Sequence, residues 1–187
     1  SPRFNVVYQL ASQSFLRAGW GRVYQTQGID QLEVAEGERE FHKAELAEHT
    51  VLGLEHLFSN DIHLRLEAYR KDLSSLRPEY RNWRNDIEFF PELQDDRIRV
   101  ALDGARSHGV EFYLKRDSGG PFTWWASYAM AQVDDDVSTI TAHGSDFEID
   151  EQVPSRFDQR HTLNVDVNYR RNHRWRLNLA WQYRTGW

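Results

Sequence analysis

From Arg174 to Arg184 the chain alternates: Trp175, Leu177, Leu179, Trp181 and Tyr183 are interleaved with Arg176, Asn178, Ala180 and Gln182. A period of two predicts a strand with one oily and one wet face. The preceding segment repeats the pattern, with Leu163, Val165, Val167 and Tyr169 against Thr162, Asn164, Asp166 and Asn168. The short stretch Arg170-Arg171-Asn172-His173 between them reads as a hairpin connection. Upstream, Thr50, Leu52 and Leu54 alternate with Val51, Gly53 and Glu55, and Ile62, Leu64, Leu66 and Ala68 with His63, Arg65, Glu67 and Tyr69, around the turn Ser59-Asn60-Asp61. A third hairpin joins Val110, Phe112 and Leu114 to Trp124, Ala126, Tyr128 and Met130 through Asp117-Ser118-Gly119-Gly120-Pro121, where glycine and proline are turn chemistry. Phe4, Val6, Tyr8 and Leu10 form a first strand, Ala11 to Ser14 turn it, and Leu16, Ala18 and Trp20 mark its partner. The pattern therefore predicts eight strands. Only Val34 to Leu46, rich in Glu and Ala, offers room for a short loop helix.

Alternation alone does not decide whether the oily face meets a second sheet or lipid. The connections decide better. Those near 11, 60, 118 and 172 are short, those around 25–47, 73–104 and 134–160 are long, and the two kinds alternate along the chain. Such asymmetry belongs to transmembrane barrels, with short periplasmic turns and long extracellular loops. The expected fold is thus all-β, an antiparallel up-and-down transmembrane β-barrel segment of about eight strands. Short turns at 11 and 172 put the first strand's start and the last strand's end on the outer side, whereas a self-contained barrel usually keeps both termini in the periplasm. Residues 1–187 are therefore expected to be a single partial barrel domain. Trp187, preceded by Trp181 and Tyr183 but interrupted by Thr185, loosely resembles an outer-membrane assembly signal.

Composition changes this picture little. A mean hydropathy of -0.75 suggests a water-soluble protein, but a membrane strand shows lipid only every second residue, so its average stays low. Seven Trp, eight Tyr and ten Phe suit aromatic girdles at the two membrane interfaces. The net charge of -6, without a Lys/Arg cluster, speaks against nucleic acid. With no cysteine, disulfide scaffolds and thiolate metal sites are excluded.

Among polar residues, Arg65, Glu67, Glu111, Tyr113, Asn164 and Asp166 fall on wet faces in mid-strand and are candidates to line a lumen. Tyr24, Gln25, Gln27 and Gln31 in one long connection and Tyr80, Trp83, Phe89 and Phe90 in the next are candidate ligand contacts, as are Asp158 and His161. Ser155, Asp158 and His161 supply triad residue types, but neither a nucleophile elbow nor an oxyanion glycine loop accompanies them. The plainer expectation is that Asp158, Arg160 and His161 brace the loop where it meets the barrel. His42, Glu45, Glu48 and His49 match no established metal spacing. Asp134-Asp135-Asp136 with Asp146, Glu148, Asp150 and Glu151 lack the spacing of a calcium loop and read as a solvated, mobile surface loop. No cofactor and no catalytic or metal residue is expected.

Several stretches are similar to the barrel of TonB-dependent outer-membrane receptors: residues Ala47 to Glu55 (AEHTVLGLE), Leu66 to Asp72 (LEAYRKD), Ser107 to Arg116 (SHGVEFYLKR), Trp125 to Tyr128 (WASY) and Phe157 to Asn164 (FDQRHTLN). Their order resembles the later part of such a barrel. The resemblance implies a plugged barrel of the 22-stranded class, set in the bacterial outer membrane. It would bind an extracellular small-molecule ligand and import it using energy passed through the TonB system. The implied partners are outer-membrane lipid, a plug domain and the remaining strands. No stretch resembles a plug or an energy-coupling box, so the segment is not expected to transport alone. Two other classes are compatible with the pattern: a small outer-membrane barrel enzyme, and a soluble β-rich binding domain.

Overall fold

The computed structural model describes residues 1–84, 96–117, 120–156 and 158–185. Phe89, Phe90, Ser118, Gly119, Phe157 and Trp187 lie outside the described residues. Ten strands are present among the described residues: β1 (Arg3–Ala11), β2 (Ser14–Gln25), β3 (Glu45–Leu57), β4 (Ile62–Ser74), β5 (Glu79–Asn82), β6 (Arg97–Arg116), β7 (Phe122–Ala142), β8 (Ser145–Pro154), β9 (His161–Arg170) and β10 (Arg176–Arg184). All belong to one sheet in the order β1-β2-β3-β4-β6-β7-β9-β10, and β5 and β8 pair with β6 and β7 off that path. Every pairing is antiparallel. The eight-strand wall is the one the alternation predicts, and among the described residues no second sheet covers either face. A soluble sandwich buries its oily face against a partner sheet; this chain has none among the described residues. Nor do β1 and β10 pair with each other among those residues.

Directly opposed residues share a face, so the ladder extends each strand's parity across the whole sheet. One row runs Leu16, Leu54, Leu66, Phe112, Tyr128, Leu163, Tyr183; the neighbouring row of the other face runs Arg17, Gly53, Glu67, Glu111, Ala129, Thr162, Arg184. The first is a continuous oily belt and the second is largely polar. A slip of one residue in any strand would break both.

The first two short turns behave as expected, and Ser118 and Gly119 of the third lie outside the described residues. At the second, Phe58 N–H donates to Ile62 O (2.8 Å) and Asp61 takes a left-handed φ of 61°. The last connection is longer than the pattern suggested, because β10 starts at Arg176. Asn172 Oδ1 accepts hydrogen bonds from the N–H groups of Arg174 (2.9 Å) and Trp175 (3.1 Å). This side-chain turn competes with the ladder and keeps Trp175 out of the strand.

The long connections differ more. Val34 to Leu46 contains only the 3-10 turn Val34–Glu36 before β3 begins, and a second such turn spans Ile29–Gln31. Much of 73–104 and 134–160 is strand, because β6 and β7 run on for 20 and 21 residues and carry β5 and β8 on their flanks. Irregularities beside Leu102 and Val137 shift the register in this extension. There Val100, Leu102 and Val137 form a small core, with Leu76, Ile98, Ile140 and Val153 packed against it. All buried hydrophobics among the described residues lie in this extension (Val100, Leu102, Ala105, Val137). The wall buries neither of its faces by itself, as a sheet placed between lipid and a filled lumen requires.

Asp134-Asp135-Asp136 is correspondingly no mobile loop. All three sit in β7, and Asp134 and Asp135 are buried. Pairing of Asp134 with Arg106 and of Asp135 with Ala105 outweighs the poor strand propensity of aspartate, showing how tertiary context overrides local preference.

Candidate functional site

Two of the hollows on the polar face gather residues singled out from the sequence. The first, of ≈ 400 Å³, is lined by Arg65, Glu67, Glu111, Tyr113 and Asn164 together with Ser127 and Thr162. Five of the six wall residues singled out from the sequence thus converge. The register explains it, since Arg65 opposes Tyr113, Glu67 opposes Glu111, and Ser127 links Tyr113 to Asn164 across β7. Arg65 Nη2 donates to Glu67 Oε1 at 2.6 Å and Asn164 Nδ2 to Ser127 Oγ at 3.2 Å. Asp166 stands apart, opposite Trp125, where it accepts a hydrogen bond from Asn178 Nδ2 (2.9 Å).

The second hollow, of ≈ 600 Å³, lies at the opposite end of the wall from the short turns. Its floor is apolar, made by Leu73, Leu76, Leu102, Ala105 and Val133, and its rim is polar, with Gln27, Gln31, Glu38, Arg77, Tyr80 and Asp135 among the lining residues. The rim is hydrogen-bonded together from two connections, β2–β3 and β4–β6. Arg77 Nε donates to Glu45 Oε1 (2.9 Å) and Arg77 Nη1 to Gln31 Oε1 (3.1 Å). Tyr80 Oη donates to Glu38 Oε1 (3.4 Å), and Glu38 also meets His42 Nε2 at 2.8 Å. Burial pushes the Tyr80 hydroxyl above its usual range, helped by the Glu38 charge. Burial also raises Asp135, outweighing a hydrogen bond from Ser155. For Glu38 burial acts in the same direction, but bonds from His42 and the Glu33 N–H prevail and hold its carboxyl below the usual range.

Among the described loop candidates, Tyr80, Gln27 and Gln31 line this cavity. Tyr24 and Gln25 end β2 on opposite faces, Tyr24 beside Leu46 and Gln25 beside Glu45. Trp83 is largely exposed, its N–H donating to Asp96 O (2.9 Å). Asp158 and His161 turn to different partners, so no relay joins them. Asp158 Oδ1 accepts from Val133 N–H (2.9 Å) and its other oxygen from Arg160 Nε, while His161 Nδ1 meets Tyr128 Oη (2.9 Å). Asp158 therefore ties the β8–β9 connection to β7. His42, Glu45, Glu48 and His49 are likewise dispersed, with Glu45 held by Arg77 and Glu48 on the opposite face, bonded to Trp20 and Arg22. Among the described residues no group of three or more His, Cys, Asp or Glu is placed to hold a metal ion.

Glu38, Arg77 and Arg156 line the cavity without having stood out in the sequence, and Asp135 and Ser155, which the sequence offered as part of an acidic loop and as a triad residue type, line it as well. One signal was available. His143-Gly144 is a two-residue turn with φ of 49° and 75°, and these positive angles suit a tight β7–β8 hairpin. Histidine and glycine are both tolerant of that region. A hairpin there would have drawn Asp135 into a strand and towards Val153.

Such a cavity, with an apolar floor and a bonded polar rim above a two-faced antiparallel wall, suits capture of a small polar solute better than bond-making chemistry. No curated protein matches the chain. The family described as TonB dependent receptor-like, beta-barrel matches residues 1–186. It is a family of bacterial outer-membrane transport receptors, not of enzymes. The chain belongs to the TonB-dependent receptor β-barrel family.

Proposed function

We propose that the chain is one partial barrel domain in the wall of an outer-membrane receptor that captures an extracellular small molecule and imports it into the periplasm. The observation that carries this reading is the placement of the ≈ 600 Å³ cavity on the polar face, at the end away from the short turns. Arg65, Glu67, Glu111, Tyr113, Asn164 and Asp166 line the lumen, where a plug domain docks against them. Further strands of the same receptor complete the sheet along β1 and β10, whose outer edges are unpaired among the described residues. The TonB system supplies the energy through the plug, and the oily belt meets outer-membrane lipid. Tyr80 and Gln31 contact the ligand directly. Tyr24, Gln25, Trp83, Asp158 and His161 shape the approach to the cavity.

The test compares solutes removed from a mixed medium by cells with the receptor and by cells lacking it, each with and without a collapsed proton gradient. The expected result is a solute taken up only by energised, receptor-bearing cells, and left behind when Tyr80→Ala is introduced. Uptake that survives the collapsed gradient would make the barrel a passive pore and overturn the proposal.

A further inference from the structure

In the lining of the ≈ 600 Å³ cavity one amide is fixed on its acceptor side and left open on its donor side. Gln31 ends the 3-10 turn Ile29–Gln31, and its Oε1 accepts from the Gly28 N–H (3.0 Å) and from Arg77 Nη1 (3.1 Å). Its main-chain oxygen accepts from Gln27 Nε2 (2.8 Å). Gln27 is fixed in turn, because its Oε1 takes the His42 N–H (2.9 Å). Both partners of Gln31 Oε1 are obligate donors, a backbone N–H and a guanidinium, so the hydrogen-bond network allows the amide one orientation. Turned over, it would set Nε2 against two donors and lose both bonds. Nε2 is therefore the side-chain atom left to meet a solute, and among the described residues no acceptor occupies it.

Arg77 does the holding. Its Nε donates to Oε1 of Glu45 (2.9 Å), the first residue of β3, so the guanidinium is anchored to the wall while Nη1 reaches into the β2–β3 connection. Around the open donor the charge is unbalanced. Among the described residues lining the cavity six are acidic and two basic, and one of the two, Arg77, is already paired with Glu45. Glu38 stays ionised at neutral pH, its carboxyl lying below the usual range. A carboxylate or phosphate entering the cavity meets like charge, which discriminates strongly against it. An uncharged oxygen meets no such opposition.

We propose that the capture site described above, on whose reading this inference rests, selects its solute by an uncharged carbonyl, ether or hydroxyl oxygen that accepts from Gln31 Nε2. Arg77 is the positioning residue that keeps the amide turned donor-outward. The acid excess excludes carboxylates and phosphates, and the apolar floor of Leu73, Leu76 and Leu102 takes the solute's carbon skeleton.

The test measures binding of D-glucuronamide and D-glucuronate, which differ only in carrying an amide or a carboxylate at the same carbon. The receptor is purified from outer membranes in detergent, and binding is read by saturation-transfer difference NMR. The wild type should bind D-glucuronamide about tenfold more tightly than D-glucuronate. Gln31→Glu keeps an acceptor for Gly28 and Arg77 but sets an oxygen where Nε2 stood. It should weaken D-glucuronamide about tenfold, and equally at low and high salt because that probe is uncharged. Arg77→Lys keeps a cation beside Glu45 but frees the amide, and should weaken D-glucuronamide about threefold. The double variant should then be no weaker than Gln31→Glu alone. Glu40→Gln, an exposed charge on the same connection, should leave D-glucuronamide binding unchanged. Equal or tighter binding of D-glucuronate, no binding of D-glucuronamide, or wild-type binding of D-glucuronamide by Gln31→Glu would each overturn the proposal. Losses that multiply in the double variant would overturn the role given to Arg77. Tyr80→Ala separates this assignment from the capture reading beneath it. D-glucuronamide lost in Tyr80→Ala but kept in Gln31→Glu leaves the capture site standing and refutes the Gln31 donor, whereas binding kept in both variants refutes the site itself.

Discussion

Placing a charge on either side of one strand distinguishes lipid from lumen quantitatively. Leu66 opposes Phe112 in the oily row, and Ala129 opposes Glu111 in the adjacent polar row. Strands rise about 3.4 Å per residue, so at a barrel tilt of about 40° each residue climbs roughly 2.6 Å along the membrane normal. Leu66, four residues beyond the start of β4 at Ile62, then sits about 10 Å into an apolar band about 25 Å tall, close to its middle. Arginine on the lipid face at that depth costs about 2–4 kcal/mol. Leu66→Arg should therefore reduce the folding equilibrium constant by roughly thirty- to several-hundred-fold. Ala129→Arg, which places its charge next to Glu111, should cost less than about 1 kcal/mol. Equilibrium unfolding of the receptor in phosphatidylcholine vesicles, followed by tryptophan fluorescence, measures both. A penalty at Ala129 equal to or larger than that at Leu66 would refute the face assignment.

Leu102→Ala should open a void in the small core of the extracellular extension and cost about 2–3 kcal/mol there. Limited proteolysis should then nick β8 sooner while the wall stays intact. Asp135 has its pKa raised by burial, so its ionisation opposes folding at neutral pH, and stability should rise as pH falls through that raised value. Asp135→Asn should remove this pH dependence above the ordinary value of 3.8, read as hydrogen-exchange protection of β7. At Gly109 an added Cβ would come within 2.6 Å of the Met130 carbonyl and 3.0 Å of the Tyr69 hydroxyl. Gly109→Ala should therefore destabilise the wall by about 1–3 kcal/mol in the same vesicle unfolding assay.

The wall was legible in the sequence because its physics is local: each strand had to alternate, and each short turn carried glycine, proline, asparagine or serine where it was needed. The polar residues at Arg65, Glu67, Glu111, Tyr113 and Asn164 followed from parity alone, and the ladder brought them together. The extension was harder to read. Asp134-Asp135-Asp136 reads as a loop by propensity, and only pairing with Arg106, Ala105 and Val153 makes it strand. β5 is four residues long, too short for periodicity to register. The cavity is assembled from Gln31, Arg77, Tyr80 and Asp135, drawn from different connections, and no spacing along the chain announces it.

The chain has no cysteine, so single cysteines can be introduced at consecutive positions of β4 without background. Spin labels from Ile62 to Tyr69, read for collision with oxygen or with a water-soluble nickel chelate, test the two-faced wall most directly. The account predicts oxygen access at Leu64, Leu66 and Ala68 and low oxygen access at His63, Arg65 and Glu67, alternating without a break. Access that does not alternate, or alternates in the opposite phase, would contradict it.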